Sequence, residues 1–174
     1  MNLGDRVRSL VRDVPDFPKP GIVFKDITPV TRDASVLEEI CRWIADIARE
    51  RNATTIAGIE SRGFLFAAGA AVLCGSGVTL IRKAGKLPAK TVAETYTLEY
   101  GEATMEMHED ALSREDRVLV VDDLLATGGT AEAACRLVDR LGAEVAGCLF
   151  VIELTFLEGR AKLADRDVRS LAGY

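Results

Sequence analysis

A chain of 174 residues has the size of one domain and can bury most of its apolar surface in a single core. Its 48% hydrophobic and 28% charged residues exclude a disordered or fibrous protein. A net charge of −5 with no long Lys/Arg run excludes the electrostatic footprint of a nucleic-acid binder, which leaves a small molecule as the expected partner.

Residues Met1 to Val14 set Leu3, Val7, Leu10, Val11 and Val14 on one helical face, with charges between them. That pattern lacks the apolar core of a signal peptide, so a cytoplasmic protein without a membrane anchor is expected. Pro15, Pro18 and Pro20 with Gly21 interrupt regular structure, predicting an extended, pinned loop or short strand over Phe17 to Pro29. Ser35 followed by Glu38 reads as a capping box. The helix it starts buries Leu37, Ile40, Cys41, Ile44, Ile47 and Ala48, with Trp43 off the centre of that stripe. Asp33, Glu38 and Glu39 lie at its start, where negative charge suits the helix dipole.

Thr55 to Ile59 reads as a buried strand, and Glu60-Ser61-Arg62-Gly63 turns into an uncharged helix over Phe64 to Leu73. Gly63 to Ile81 holds no charge and approaches the length of a membrane span, but Gly75-Ser76-Gly77 divides it into a helix and the strand Val78 to Ile81. Lys90 to His108 mixes polar residues with a loose alternation and reads as a mobile hairpin or lid, with Met105 and Met107 packing one face. Strand, helix and strand recur in Val118 to Val121, about Thr130 to Leu141, and Val145 to Ile152. Apolar strands alternating with helices predict an α/β fold with a parallel sheet covered on both faces. Cys41, Cys74, Cys135 and Cys148 are scattered among apolar neighbours and read as reduced thiols rather than a metal or disulfide framework.

The run Val118-Leu119-Val120-Val121-Asp122-Asp123-Leu124-Leu125-Ala126-Thr127-Gly128-Gly129-Thr130 is a buried strand, a loop and a helix start. Ligands of open parallel sheets bind at such strand ends. From Ala126 onward, the hydroxyls of Thr127 and Thr130 and the accessible amides of Gly128 and Gly129 suit a phosphate monoester. Asp122 and Asp123 repel phosphate and instead suit a vicinal diol or a hydrated cation. Together the two demands describe ribose 5-phosphate. Neither the P-loop pattern nor the dinucleotide pattern occurs.

This run resembles the phosphoribosyl-pyrophosphate signature of the type I phosphoribosyltransferases. Phe17 to Pro29, Gly58 to Phe66, Ile81-Arg82-Lys83 with Gly85-Lys86-Leu87-Pro88, Leu98-Glu99-Tyr100-Gly101, and Glu153-Leu154 with Gly159-Arg160 are similar to its adenine-specific branch. The resemblance implies that family's fold: a twisted parallel sheet flanked by helices, a small N-terminal hood (residues 1–34) on a core (residues 35–174), and a flexible lid hairpin. It implies transfer of a phosphoribosyl group to N9 of adenine, giving AMP and pyrophosphate in purine salvage, by a homodimer. Magnesium would enter on the phosphoribosyl pyrophosphate (PRPP), near Asp122 and Asp123 and without direct protein ligands.

The resemblance puts pyrophosphate on Glu60, Ser61, Arg62, Arg82, Lys83 and Lys86, with a cis peptide at Glu60–Ser61 aiming amides at it. Glu99 and Tyr100 would lie on the lid over the reaction centre. Val23, Phe24 and Lys25 would contact adenine, with Phe156 or Leu157 closing the other side. Lys25 stands where many relatives carry Arg, and Ala68 and Ala89 where many carry Gly. His108, the single histidine, reads as structural or solvent-facing. The rival readings are a phosphoribosyltransferase for another base, against which the hood motif speaks, and a PRPP-binding regulator, which would normally add a basic DNA-binding domain.

Overall fold

The computed structural model describes residues 1–97 and 101–174, so Leu98, Glu99 and Tyr100 lie outside the described residues. The β-branched run at 55–59 forms β3 (Thr55–Ile59), which is buried on both faces and occupies the middle of a seven-stranded sheet. β4 (Gly77–Lys83), β7 (Arg117–Leu125), β8 (Glu144–Glu153) and β9 (Val168–Gly173) complete its parallel part, in the order β4-β3-β7-β8-β9. The antiparallel hairpin β5 (Thr91–Thr97) and β6 (Glu102–His108) joins at the β4 edge.

Strand alternation sends successive side chains to opposite faces, and both faces are covered. Ile56, Leu119, Val121 and Leu149 pack under α3 (Ala34–Glu50) and α4 (Gly63–Cys74). Ala57, Val118, Val120, Cys148 and Phe150 pack under α5 (Gly129–Arg140), joined by Met105 and Met107 of β6. The helices expected at 64–73 and about 130–141 are found at 63–74 and 129–140, between the strands expected on either side. Gly75 ends α4 with φ 74°, and none of the helices among the described residues is long and apolar enough to cross a membrane. The four cysteines are unpaired, with Cys41, Cys135 and Cys148 buried.

α4 carries no charged residue on any face, and its first residue is pressed on the sheet. A Cβ on Gly63 would meet the Val121 carbonyl oxygen at 2.6 Å and Asp122 Oδ1 at 3.0 Å. Only a residue without a side chain lets the helix begin that close to β7. The consequence is positional: residues 60–62, which precede α4, are delivered beside the carboxyl end of β7.

Four features differ from the sequence reading. The N-terminal helix is α1 (Leu3–Leu10), and Val14 belongs instead to β1 (Arg12–Pro15), paired antiparallel with β2 (Val23–Asp26). The α3 helix is capped by Asp33, whose side chain accepts from the Val36 amide at 3.0 Å, while Ser35 lies inside the helix and bonds Glu39 and Arg6. Asp and Ser are equally good caps; the short helix α2 (Thr28–Arg32) ends at Asp33 and leaves that residue, not Ser35, with extended backbone. β7 continues through Asp122 and Asp123 to Leu125, because its ladder to β8 runs on to Glu153. β9 was not anticipated. Val7, Ile27 and Val30 of the N-terminal region are buried in the same core as α3 and α4.

If Asp33 is the cap, Asp33→Ala lowers unfolding free energy by about 1 kcal/mol, whereas the exposed Ser35→Ala stays within about 0.5 kcal/mol. Urea titrations of both variants check this, and equal losses would return the cap to Ser35.

Candidate functional site

The carboxyl ends of β3 and β7 open into a cavity of about 540 Å3. One wall is the loop Ala126 to Gly128 with the first turn of α5, and the opposite wall carries Glu60, Ser61, Arg62, Lys83 and Lys86. Asp122 and Asp123 lie between them.

The loop is held in shape by backbone against backbone. Gly128, the residue before α5, has φ 82°, and a Cβ on it would meet the Gly159 carbonyl oxygen at 2.3 Å. A Cβ on Gly159 would in turn meet the Ala126 carbonyl oxygen at 2.2 Å. Both positions therefore exclude any side chain. The segment bearing Gly159 is fixed by a two-pronged ion pair, Arg160 Nε and Nη2 donating to Glu153 Oε1 and Oε2, each at 2.7 Å. Ser170 Oγ adds a third contact to Glu153 at 2.6 Å. Arg160 holds the Glu153 carboxyl below its ordinary pKa against the opposing effect of burial. This gives Glu153-Leu154 and Gly159-Arg160 a structural role behind the loop. The α5 amides at the loop's end are free of a side-chain cap, which is the arrangement that receives an anion.

At the end of β7, Arg62 Nε donates to Asp123 Oδ2 at 2.6 Å, and the Asp123 amide donates to Asp122 Oδ1 at 2.8 Å. Asp123 is buried and Asp122 half-buried. Burial and the neighbouring Asp123 charge push the Asp122 carboxyl well above the ordinary range. One carboxyl of the pair is thus matched to a cation and the other tends to keep its proton. Among the described residues, no group of three or more His, Cys, Asp or Glu is placed to hold a metal ion.

On the facing wall the Glu60–Ser61 peptide is cis. The Glu60 carboxylate accepts from two cations, Lys86 Nζ at 2.7 Å and Arg82 at 3.3 and 3.4 Å, and from the neutral Lys83 amide at 3.1 Å. Burial alone would raise its pKa, but Lys86, the Lys83 amide and Arg82 outweigh that and hold it at about 2. Arg82 also donates to the Lys86 carbonyl at 2.9 Å and is not on the cavity wall, so it braces the wall from behind.

The other sequence-predicted residues are placed elsewhere. Val23, Phe24, Lys25, Phe156 and Leu157 do not line the cavity. Phe24 meets Phe17 edge to face at 5.2 Å between ring centres, and Lys25 bonds its cross-strand partner Asp13 at 2.7 Å while lying 4.4 Å from the Tyr174 ring centre. Phe156, on a 3-10 turn, is 69% exposed. Glu99 and Tyr100 are outside the described residues. His108 accepts from the Ala89 amide at 3.4 Å at the open end of the hairpin, where it pairs with Thr91. Sequence reasoning missed Tyr96, which lines the cavity from β5; its only signal was an aromatic residue in an alternating run.

A mostly parallel sheet with a glycine and threonine loop, a carboxylate pair and a cluster of side-chain cations at its carboxyl end is the arrangement the phosphoribosyltransferase class leads one to expect. The sequence model of the family described as "Phosphoribosyl transferase domain" matches residues 29–169. A protein of Anaeromyxobacter dehalogenans, described as an adenine phosphoribosyltransferase, is 54% identical over 170 residues, covering 98% of this chain and 99% of its own. The crystal structure of adenine phosphoribosyltransferase from Thermoanaerobacter pseudethanolicus superposes with a TM-score of 0.94 at 46% identity, covering 98% of this chain and 99% of that one. That of Saccharomyces cerevisiae, complexed with an imino-altritol bisphosphate and adenine, gives 0.91 at 36% identity, covering 97% and 98%. The chain belongs to the adenine phosphoribosyltransferase family and has the type I phosphoribosyltransferase fold.

The Glu60 cluster has a pH consequence. A carboxylate whose pKa is depressed by folding contributes stability that is complete above its ordinary 4.5 and is lost as pH falls towards about 2. Urea midpoints of the wild type therefore fall more steeply across that window than those of Glu60→Gln, and parallel acid slopes would remove the cluster from the stability of the fold.

Proposed function

We infer that the chain catalyses transfer of the phosphoribosyl group of PRPP to adenine, forming AMP and releasing pyrophosphate. The observation that supports the reading is one cavity lined both by the loop 126–130, with its hydroxyls and uncapped helix amides, and by the side-chain cations Arg62, Lys83 and Lys86. A monoester needs the first kind of site and a departing pyrophosphate the second. Adenine as acceptor is supported by relatives of 46% and 54% identity and by adenine in the yeast structure.

In this reading Ala126, Thr127, Gly128, Gly129 and Thr130 hold the 5-phosphate, and Asp122 and Asp123 receive the ribose hydroxyls. Arg62, Lys83 and Lys86 take the pyrophosphate, with Glu60, Ser61 and Arg82 shaping that wall. Binding is then an exchange of partners, because Arg62 must turn from Asp123 and Lys86 from Glu60 as the diol and pyrophosphate arrive. As the bond from the anomeric carbon to pyrophosphate breaks, N9 of adenine bonds that carbon and gives up its proton. Glu99, with Tyr100 beside it, stabilises the cationic sugar or manages that proton. Val23, Phe24, Lys25, Phe156 and Leu157, on the hood (residues 1–34) and the 3-10 turn, close on the base over the core (residues 35–174). The donor set fits magnesium as a passenger of the substrate, since among the described residues Asp122 and Asp123 are not joined by a third His, Cys, Asp or Glu placed to hold an ion. When bound, the ion neutralises charge on the leaving pyrophosphate.

The decisive assay incubates the protein with PRPP, magnesium and each nucleobase in turn. AMP from adenine is expected, with other bases slower by at least about a hundredfold. Preference for another purine would change the acceptor, and no nucleotide from any base would leave a non-catalytic PRPP binder.

We also propose a cytoplasmic homodimer. α4 leaves Leu65 53% and Val72 84% exposed on one face, and β4 leaves Val78 and Leu80 about 40% exposed (42% and 41%). An apolar surface of this kind is more costly in water than against a second copy. Light scattering should give twice the 18.8 kDa chain mass, and Val72→Glu should shift it to the single-chain value; a monomeric wild type overturns the assignment.

A further inference from the structure

Tyr96 reaches the cavity from β5, the hairpin strand, and not from either wall. Its hydroxyl lies 2.8 Å from Thr130 Oγ1. Its ring lies against Gly129, where a Cβ would be 2.9 Å from Tyr96 Cδ2. The strand that delivers it is clamped to α5 just before this point. Glu94 meets Arg140 at 3.3 Å and Arg136 at 3.5 Å, and Arg140 also donates to the Ala93 carbonyl at 2.9 Å. Ring, hydroxyl and strand are thus fixed to the same helix whose first turn forms the anion loop.

A hydroxyl has one proton to give and two lone pairs to receive with. Only one proton can lie between the Tyr96 and Thr130 oxygens. If Thr130 donates to Tyr96, a lone pair of Thr130 faces the anion site and repels a phosphate oxygen. If Tyr96 donates to Thr130, the threonine proton is free to point at the phosphate. Either oxygen can be the donor in the empty site, and a bound phosphate, which only accepts, selects the second.

We propose that Tyr96 is a positioning residue for the 5-phosphate: its phenol donates to Thr130 Oγ1 and thereby turns the Thr130 hydroxyl proton onto the phosphate. Chained hydroxyls of this kind strengthen one another, since each donor is polarised by the bond it accepts. The inference rests on the assignment of the loop to ribose 5-phosphate, and the test separates the two.

Tyr96→Phe keeps the ring against Gly129 and deletes only the proton. Calorimetric titration with ribose 5-phosphate, which needs no turnover, should show Kd raised about three- to tenfold, the range for one hydrogen bond in such a chain. KM for PRPP should rise similarly, while KM for adenine and Tm stay at wild-type values. Thr130→Val should also weaken ribose 5-phosphate binding, and the double variant should be no weaker than Thr130→Val alone, because the phenol acts only through that hydroxyl. An unchanged Kd in Tyr96→Phe, or additive losses in the double variant, overturns the role of Tyr96. A loss of Tm without a change in Kd does the same, since it marks a packing residue. Unchanged binding in Thr130→Val instead removes the phosphate assignment itself.

Discussion

The distance between the two walls of the cavity is set where the first residue of α4 rests on the end of β7. Gly63 lies so near the Val121 carbonyl and Asp122 that no side chain fits there. That contact brings Arg62 to 2.6 Å from Asp123 and the Glu60–Lys86 wall to the far side of the same opening. An added methyl at position 63 would push apart elements that are separated by 60 residues in sequence and by a few ångströms in space. The anion loop is referenced to the same strand, because it is the continuation of β7, and is pinned from behind by Gly159. Two independent close approaches of backbone to backbone therefore define one site.

Within that frame the charges are already paired. Asp123 holds Arg62, and Glu60 holds Lys86 and Arg82. A buried carboxylate without a partner is costly, and these cations supply the counter-charges that Asp123 and Glu60 need. The Asp122 carboxyl, which burial and Asp123 drive towards the protonated form, is the one member without such a partner and can both give and receive a hydrogen bond.

Much of the fold was legible because the central strands are apolar on both faces and the segments between them end in glycine turns, although only α5 of the two helices they hold is amphipathic. The loop at the cavity was legible as a candidate site because its glycines, threonines and acidic pair occur within one short run. What escaped depended on partners distant in sequence. β9 is a short strand whose pairing with β8 is decided by tertiary context, and the strand character of Asp122 to Leu125 is set by a ladder to 150–153 rather than by its own residues. Asp33 and Ser35 are chemically interchangeable as caps, and only the end of α2 decides between them. Arg82 and Lys83 are adjacent in sequence, yet one braces the cavity wall and the other lines it. The Tyr96 contact with Thr130 joins two elements 34 positions apart, and nothing in either segment announces it.

The end of the described chain is tied into this arrangement at several points. Ser170 bonds Glu153 behind the anion loop, the Gly173 carbonyl accepts from Arg8, and the Tyr174 ring lies beside Lys25 of β2. Segments near the amino end of the chain thus take their partners from its last residues, more than 140 positions later. During synthesis the amino-terminal hairpin leaves the ribosome long before the strand that anchors it exists. The contacts of Ser170 with Glu153, of Gly173 with Arg8 and of Tyr174 with Lys25 therefore close long loops of the chain, the kind of pairing whose closure entropy slows folding.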